Sequence, residues 1–260
     1  MVKVKKLVPA SKLARKNDIR FPNESTAYRR ARDKLLAKEI ELRRAMEAVA
    51  VQRRALPQGG MVPEDYVFEG LGPDGKAAKV TLSELFAPGK DSLIAYSFMF
   101  PRYPKDDRPG PAEGATAQLK REDAPCPSCT AFLDSLDGAA KHIEAAGFNF
   151  VVIAAAPLDQ LIAFAKDRGW EGLRLLSSGG NSFKHDYHAE TAEGHQMPMM
   201  TVFHRKGKAI RHFWSSEMFW TDTDPRQDPR HAGTIEPLWN IFDLTRKGRP
   251  SRWQEQLQYE

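Results

Sequence analysis

The chain has only two cysteines in 260 residues, and they stand together as Cys126-Pro127-Ser128-Cys129. Thiols at this spacing support either redox exchange through a disulfide or half of a tetrahedral zinc site. In exchange, one thiolate attacks a disulfide sulfur, a mixed disulfide forms, and the second thiol resolves it. Downstream, Phe132, Leu133, Leu136, Ala140 and Ile143 recur at helical spacings as far as Gly147, so the motif opens a helix. The unpaired N–H groups and positive dipole end of that helix favour a thiolate, making Cys126 the expected nucleophile and Cys129 its resolving partner. Pro127 suits the first turn, where its missing N–H would have no partner anyway. With Ser128 it forms the expected substrate-facing pair between the sulfurs. Zinc would require His185, His188 and His195 to complete the ligands, and His185-x-x-His188 is shorter than the usual gap of about three to five residues. No phosphate-binding loop, paired-carboxylate arrangement or serine triad is legible, so hydrolase and kinase classes have no support. The expectation is a site with no cofactor and no metal.

A helix that begins at a dithiol needs a sheet to hold it. Residues 92–100 are an almost unbroken apolar run, as expected for a strand buried on both faces, and residues 148–156 are another. A helix over 158–168, stopped at Gly169, and a short strand over 173–176 complete an alternation that implies crossover units in an α/β sheet. Ahead of these, segments 66–69 and 77–80 flank Gly72-Pro73-Asp74-Gly75 as a hairpin, followed by a short helix near 83–86. Behind them, 201–204 and 209–214 flank Arg205-Lys206-Gly207-Lys208 as a second hairpin, and 234–244 reads as a closing helix. Residues 101–125 carry five prolines and many charges, so neither helix nor strand is expected there. A connection of that length is either a functional lid or a mobile insertion.

The N-terminal part differs in character. Residues 23–54 lack Gly and Pro and are rich in helix formers, with Asn23 and Ser25 as candidate caps. Leu35, Leu42 and Val49 recur at seven with Ile40 and Met46 nearby, an apolar stripe opposite a basic face. The first 60 residues hold 16 Lys and Arg against 6 Asp and Glu, so the whole positive excess of the chain lies there. The expected domains are a basic helical extension over 1–60, an α/β domain over 61–249 interrupted by the insertion at 101–125, and a tail over 250–260.

Met197-Pro198, just before the second hairpin, stands where a thioredoxin-type fold carries a cis proline that pairs an extended substrate with the preceding backbone. An ordinary trans proline at a strand entry is the alternative. Arg53-Arg54-Ala55-Leu56-Pro57, Tyr66-Val67-Phe68-Glu69-Gly70, Ser97-Phe98-Met99-Phe100, Cys126-Pro127-Ser128-Cys129-Thr130 and Phe242-Asp243-Leu244-Thr245-Arg246-Lys247-Gly248-Arg249 together resemble an uncharacterised bacterial thioredoxin-like family. It is grouped as a domain of unknown function whose members are often labelled dithiol-disulfide oxidoreductases. The resemblance implies an α/β fold with a thioredoxin-like central mixed sheet flanked by helices, beyond an N-terminal helical extension. Pro125 stands where thioredoxins carry a tryptophan, and Asp123 where peroxiredoxins carry a hydroxyl, which places peroxidase activity second.

The expected function is thiol-disulfide exchange at Cys126 and Cys129, with a protein or small-molecule disulfide as substrate. The alternative from another class is a binding or scaffold protein that docks through its basic helix, to a partner or to a second copy of itself. Trp214, Phe219 and Trp220 are candidates to line a cleft. Residues 1–16 hold no signal-peptide-like apolar stretch, and no later run approaches the roughly twenty residues needed to span a membrane. Two cysteines at C-x-x-C spacing suit a reducing compartment, so a cytoplasmic location is expected, with no membrane partner and no nucleic acid.

Overall fold

In the first of the chain's two units, Met1–Pro57, a short helix α1 (Ala10–Ala14) packs against a long helix α2 (Thr26–Arg54). Ala10, Leu13 and Ala14 meet Leu36, Ala37 and Ile40, a small apolar seam. The Ser25 hydroxyl caps α2 by accepting the Tyr28 N–H at 3.1 Å. Asn23, the other candidate, sits at φ 57 in the left-handed region and lies outside the helix. Leu35, Leu42, Met46 and Val49 are exposed on this unit.

The second unit, Gln58–Glu260, holds the sheet. The computed structural model describes residues 7–225, 227, 235–248 and 253–259. Seven strands, β1 (Val67–Leu71), β2 (Ala77–Thr81), β3 (Ser92–Phe98), β4 (Asn149–Ala154), β5 (Leu175–Ser177), β6 (Met199–Lys206) and β7 (Ala209–Ser215), lie in the order β2-β1-β5-β4-β3-β6-β7. β3, β4 and β5 are parallel, joined by helices α3 (Pro127–Ala145) and α4 (Leu158–Arg168), while β6 runs antiparallel beside β3. This is a thioredoxin-like mixed sheet, with a parallel crossover on one side of β3 and a hairpin strand on the other. The first hairpin turns at Gly75, whose φ of 74 needs a residue without a Cβ, and its N–H reaches the Gly72 carbonyl.

Alternation along the strands divides the core between the two faces. Tyr96, Phe98, Phe150 and Val152 face α3 and α4, where Phe132, Leu133, Leu161 and Phe164 cover them. Leu93, Ala95, Val151 and Ile153 face the other way, onto Tyr66, Phe68, Leu85 and the short helix α5 (Phe183–Asp186). Every residue of β4 is buried, which accounts for its continuous apolar run.

Of the two alternatives for Met197-Pro198 the bond is the ordinary trans one, and the one cis bond among the described residues is Phe100-Pro101. The stretch 101–125 is ordered by a buried arginine, as described below. The closing helix, α6 (Pro237–Asp243), is shorter than the expected span of 234–244. Residue 234, Arg249 and part of the expected tail lie outside the described residues. No described helix is long and apolar enough to cross a membrane.

Candidate active site

The dithiol is fixed at the end of β3. The Cys126 N–H donates to the Met99 carbonyl at 2.9 Å, and the next carbonyl, that of Phe100, accepts from Ala156 at 2.7 Å. The proline-rich stretch therefore leaves β3 and returns to it before α3 begins. Cys126 is the extended N-cap of α3 and Pro127 its first residue. The Cys126 carbonyl accepts both the Thr130 N–H and the Thr130 hydroxyl, which locks the first turn.

The stretch is held in place by Arg102, only 2% exposed. Its guanidinium makes five hydrogen bonds to the carbonyls of Arg108, Pro109, Ala124 and Pro125, and its own N–H donates to Ala124. A chain with few ways to pair its own backbone is thus satisfied by one side chain. Ordered in this way, it carries Arg108 to the dithiol. The Arg108 guanidinium binds both oxygens of Asp106, at 2.9 and 2.7 Å, and donates to the Ser128 hydroxyl at 2.9 Å. Its second terminal nitrogen stands 3.8 Å from the Cys126 sulfur. Ser128 donates in turn to Glu255 at 3.0 Å, so a residue near the C-terminus closes the network. Ser128 is therefore held inside the site as well as facing it.

Both cysteines are free thiols, 2% and 3% exposed. Cys126 is pulled down to about 7, chiefly because the Cys129 thiol donates to its sulfur. The Cys129 backbone N–H and the Arg108 charge add to this, against the opposing effect of burial. Cys129 is pushed the other way, first by burial and then by its neighbour. The Met99 N–H and the Tyr96 hydroxyl bear on Cys129 and ease its ionisation. That hydroxyl is buried with no other hydrogen-bond partner.

Lys184 of α5 is 2% exposed and donates to the Phe98 carbonyl at 2.9 Å. Phe98 and Met99 share a peptide group, so Lys184 holds the oxygen of the same amide whose N–H serves Cys129. Burial drags the lysine down to about 7, with Cys129 the first charge opposing that effect.

The two sulfurs open into a cleft of about 570 Å³ lined by Tyr96, Phe132, Met197, Pro198, Phe219 and Trp239, among others. The proline-rich stretch covers the dithiol without sealing it. Of the sequence-derived residues, Cys126, Cys129, Ser128, Met197 and Pro198 come together here, whereas Pro127 is buried behind them. Of the candidate aromatics, Phe219 reaches this cleft, Trp214 packs on the core, and Trp220 lines a different hollow. The Met197 N–H is taken by the Ala189 carbonyl at 2.9 Å, so part of the edge expected to pair with a substrate strand is used within the chain. The histidines do not join the cysteines: among the described residues no group of three or more His, Cys, Asp or Glu is placed to hold a metal. His185 and His188 are exposed, and His195 packs edge-on against Tyr103.

Arg102, Arg108, Lys184 and Glu255 were not legible as site residues. Each acts through a contact distant in sequence, and single charged residues in polar stretches carry no periodic signal.

A family model described as "Bacterial protein of unknown function (DUF899)" matches residues 19–259. No curated protein matches the chain. Among solved structures, thioredoxin peroxidase I of Plasmodium yoelii is 17% identical, covering 76% of this chain and 99% of that one at a TM-score of 0.42. Peroxidoxin BcpB of Mycobacterium tuberculosis is 16% identical, covering 70% and 95% at a TM-score of 0.40. A hypothetical protein of Sinorhizobium meliloti 1021 is 15% identical, covering 77% and 90%, also at 0.40. Overlaps this loose say nothing of chemistry, which has to be read from the chain's own atoms.

Proposed function

The chain belongs to the bacterial DUF899 family of unknown function, and from the site itself we propose that it is a thiol-disulfide oxidoreductase. The observation that carries this reading is the Arg108 guanidinium 3.8 Å from the sulfur of a cysteine at a helix N-terminus. A thiolate there gains from the cation and from the oriented N–H groups together. The Cys126 thiolate attacks one sulfur of a disulfide, forming a mixed disulfide and expelling a thiolate. Its own charge is then gone, and with it two of the three influences that keep Cys129 protonated. Cys129 loses its proton and attacks Cys126, releasing the second thiolate and leaving Cys126-Cys129 oxidised. An external dithiol restores the reduced pair.

Replacement variants test the order of events. Cys126→Ser should abolish disulfide reduction, while Cys129→Ser should still react once and hold the substrate as a mixed disulfide detectable by mass. If neither substitution changes turnover, the oxidoreductase reading fails. Two cysteines at C-x-x-C spacing, with no others in the chain, suit a reducing compartment such as the cytoplasm.

A second, non-catalytic reading is favoured by the exposed apolar stripe Leu35, Leu42, Met46 and Val49 on α2. That helix would dock against a second copy of itself. Sedimentation should then give a dimer that Leu42→Glu converts to monomer, and a monomeric wild type would end that reading.

A further inference from the structure

We infer that the substrate is a small, uncharged disulfide with apolar or aromatic arms. This rests on the oxidoreductase reading and narrows its substrate.

Three observations carry it. The nucleophile is 2% exposed at the floor of a cleft of about 570 Å³, so only a molecule slim enough to enter brings a sulfur to it. A disulfide fixed in a folded protein surface does not fit, and the Met197 N–H that would align an extended peptide already bonds Ala189. The walls facing the sulfur are carbon-rich: Met99, Tyr103, Phe132, Pro198, Leu238 and Trp239 offer aromatic and aliphatic surface.

Charge decides the rest. Arg108 is already engaged by Asp106 and the Ser128 and Glu255 groups, and Lys105 is the other Lys or Arg among the described lining residues. A substrate bearing carboxylates would have to shed its water against these carbon-rich walls with the Arg108 guanidinium already taken, whereas a neutral one meets apolar surface. The step balances as R-S-S-R plus the reduced dithiol giving two R-SH and the Cys126-Cys129 disulfide.

The test uses the reduced full chain near neutral pH and three disulfides: neutral dipyridyl disulfide, dianionic dithiobis-nitrobenzoate, and insulin. Each rate is divided by that of free mercaptoethanol with the same disulfide, which removes intrinsic reactivity. The neutral aromatic disulfide should exceed the dianionic one on the order of ten-fold or more, with insulin slower still. Ala131→Phe, which adds bulk to the cleft wall on α3, should slow the dipyridyl reaction by about ten-fold. Iodoacetamide, a smaller reagent, should lose less of its rate toward Cys126 in that variant than the dipyridyl disulfide does. Leu238→Asp adds charge in place of bulk and should slow the dianionic reagent further. Comparable normalised rates for all three disulfides, or a dipyridyl rate indifferent to Ala131→Phe, would overturn the substrate class and leave the oxidoreductase reading standing. No reaction with any of them would overturn both.

Discussion

At Cys126, burial alone would raise the thiol, and what reverses it is a set of donors: Cys129, the amides of α3 and Arg108. Arg108→Met removes one of these and leaves the helix start intact. Alkylation of Cys126 at neutral pH should slow by roughly three- to ten-fold, with the midpoint of its pH profile moving upward. Lys184 is a positioning residue for the second step, since it binds the amide that serves Cys129. Lys184→Met should leave Cys126 alkylation unchanged and lengthen the lifetime of the mixed disulfide several-fold; an unchanged lifetime would reduce the lysine to a packing role. Its effect on stability has a defined sign. The lysine is held down to about 7 in the folded protein against 10.5 ordinarily. Between those values the unfolded chain binds the extra proton, so this group makes wild-type stability rise with pH across that window. Denaturation of wild type and Lys184→Met at several pH values should show that slope in the former and lose the lysine's share of it in the latter.

Among the elements, the proline-rich stretch depends most on a single side chain. Arg102→Met would leave the carbonyls of Arg108, Pro109 and Pro125 without this donor in a buried setting, at a cost of roughly 2–4 kcal/mol. The urea midpoint should fall, and Arg108 should lose its hold on Cys126, so that the alkylation midpoint rises as well. A fall in stability with no change at Cys126 would separate the clasp from the site. The strands and helices that surround this stretch were legible because burial writes a period into sequence. Residues 92–100 and 148–156 read as apolar runs and contain the strands 92–98 and 149–154, and Phe132, Leu133 and Ala140 at helical intervals placed α3 correctly behind the dithiol. The stretch itself was not, because its order comes from one guanidinium reaching carbonyls as far as 23 residues away.

At the scale of the molecule, the second unit closes on its own end. Leu257 is buried in the same core as Phe98 and Phe164, and Glu255 completes the Arg108 network, so the segment read from sequence as a tail belongs to the site. Leu257→Ala should cost about 2–4 kcal/mol by leaving a cavity there, measured by thermal or urea unfolding, whereas an exposed tail would tolerate it without loss. These contacts converge on one property, a Cys126 thiolate present at neutral pH while its neighbour stays protonated. Site-resolved alkylation settles that directly: the reduced full chain is pulsed with iodoacetamide across a pH series, and each cysteine peptide is quantified by mass spectrometry. Cys126 should label with a midpoint of about 7 and Cys129 only far above it. Both cysteines labelling together near the free-thiol value of about 8.5 would contradict the account.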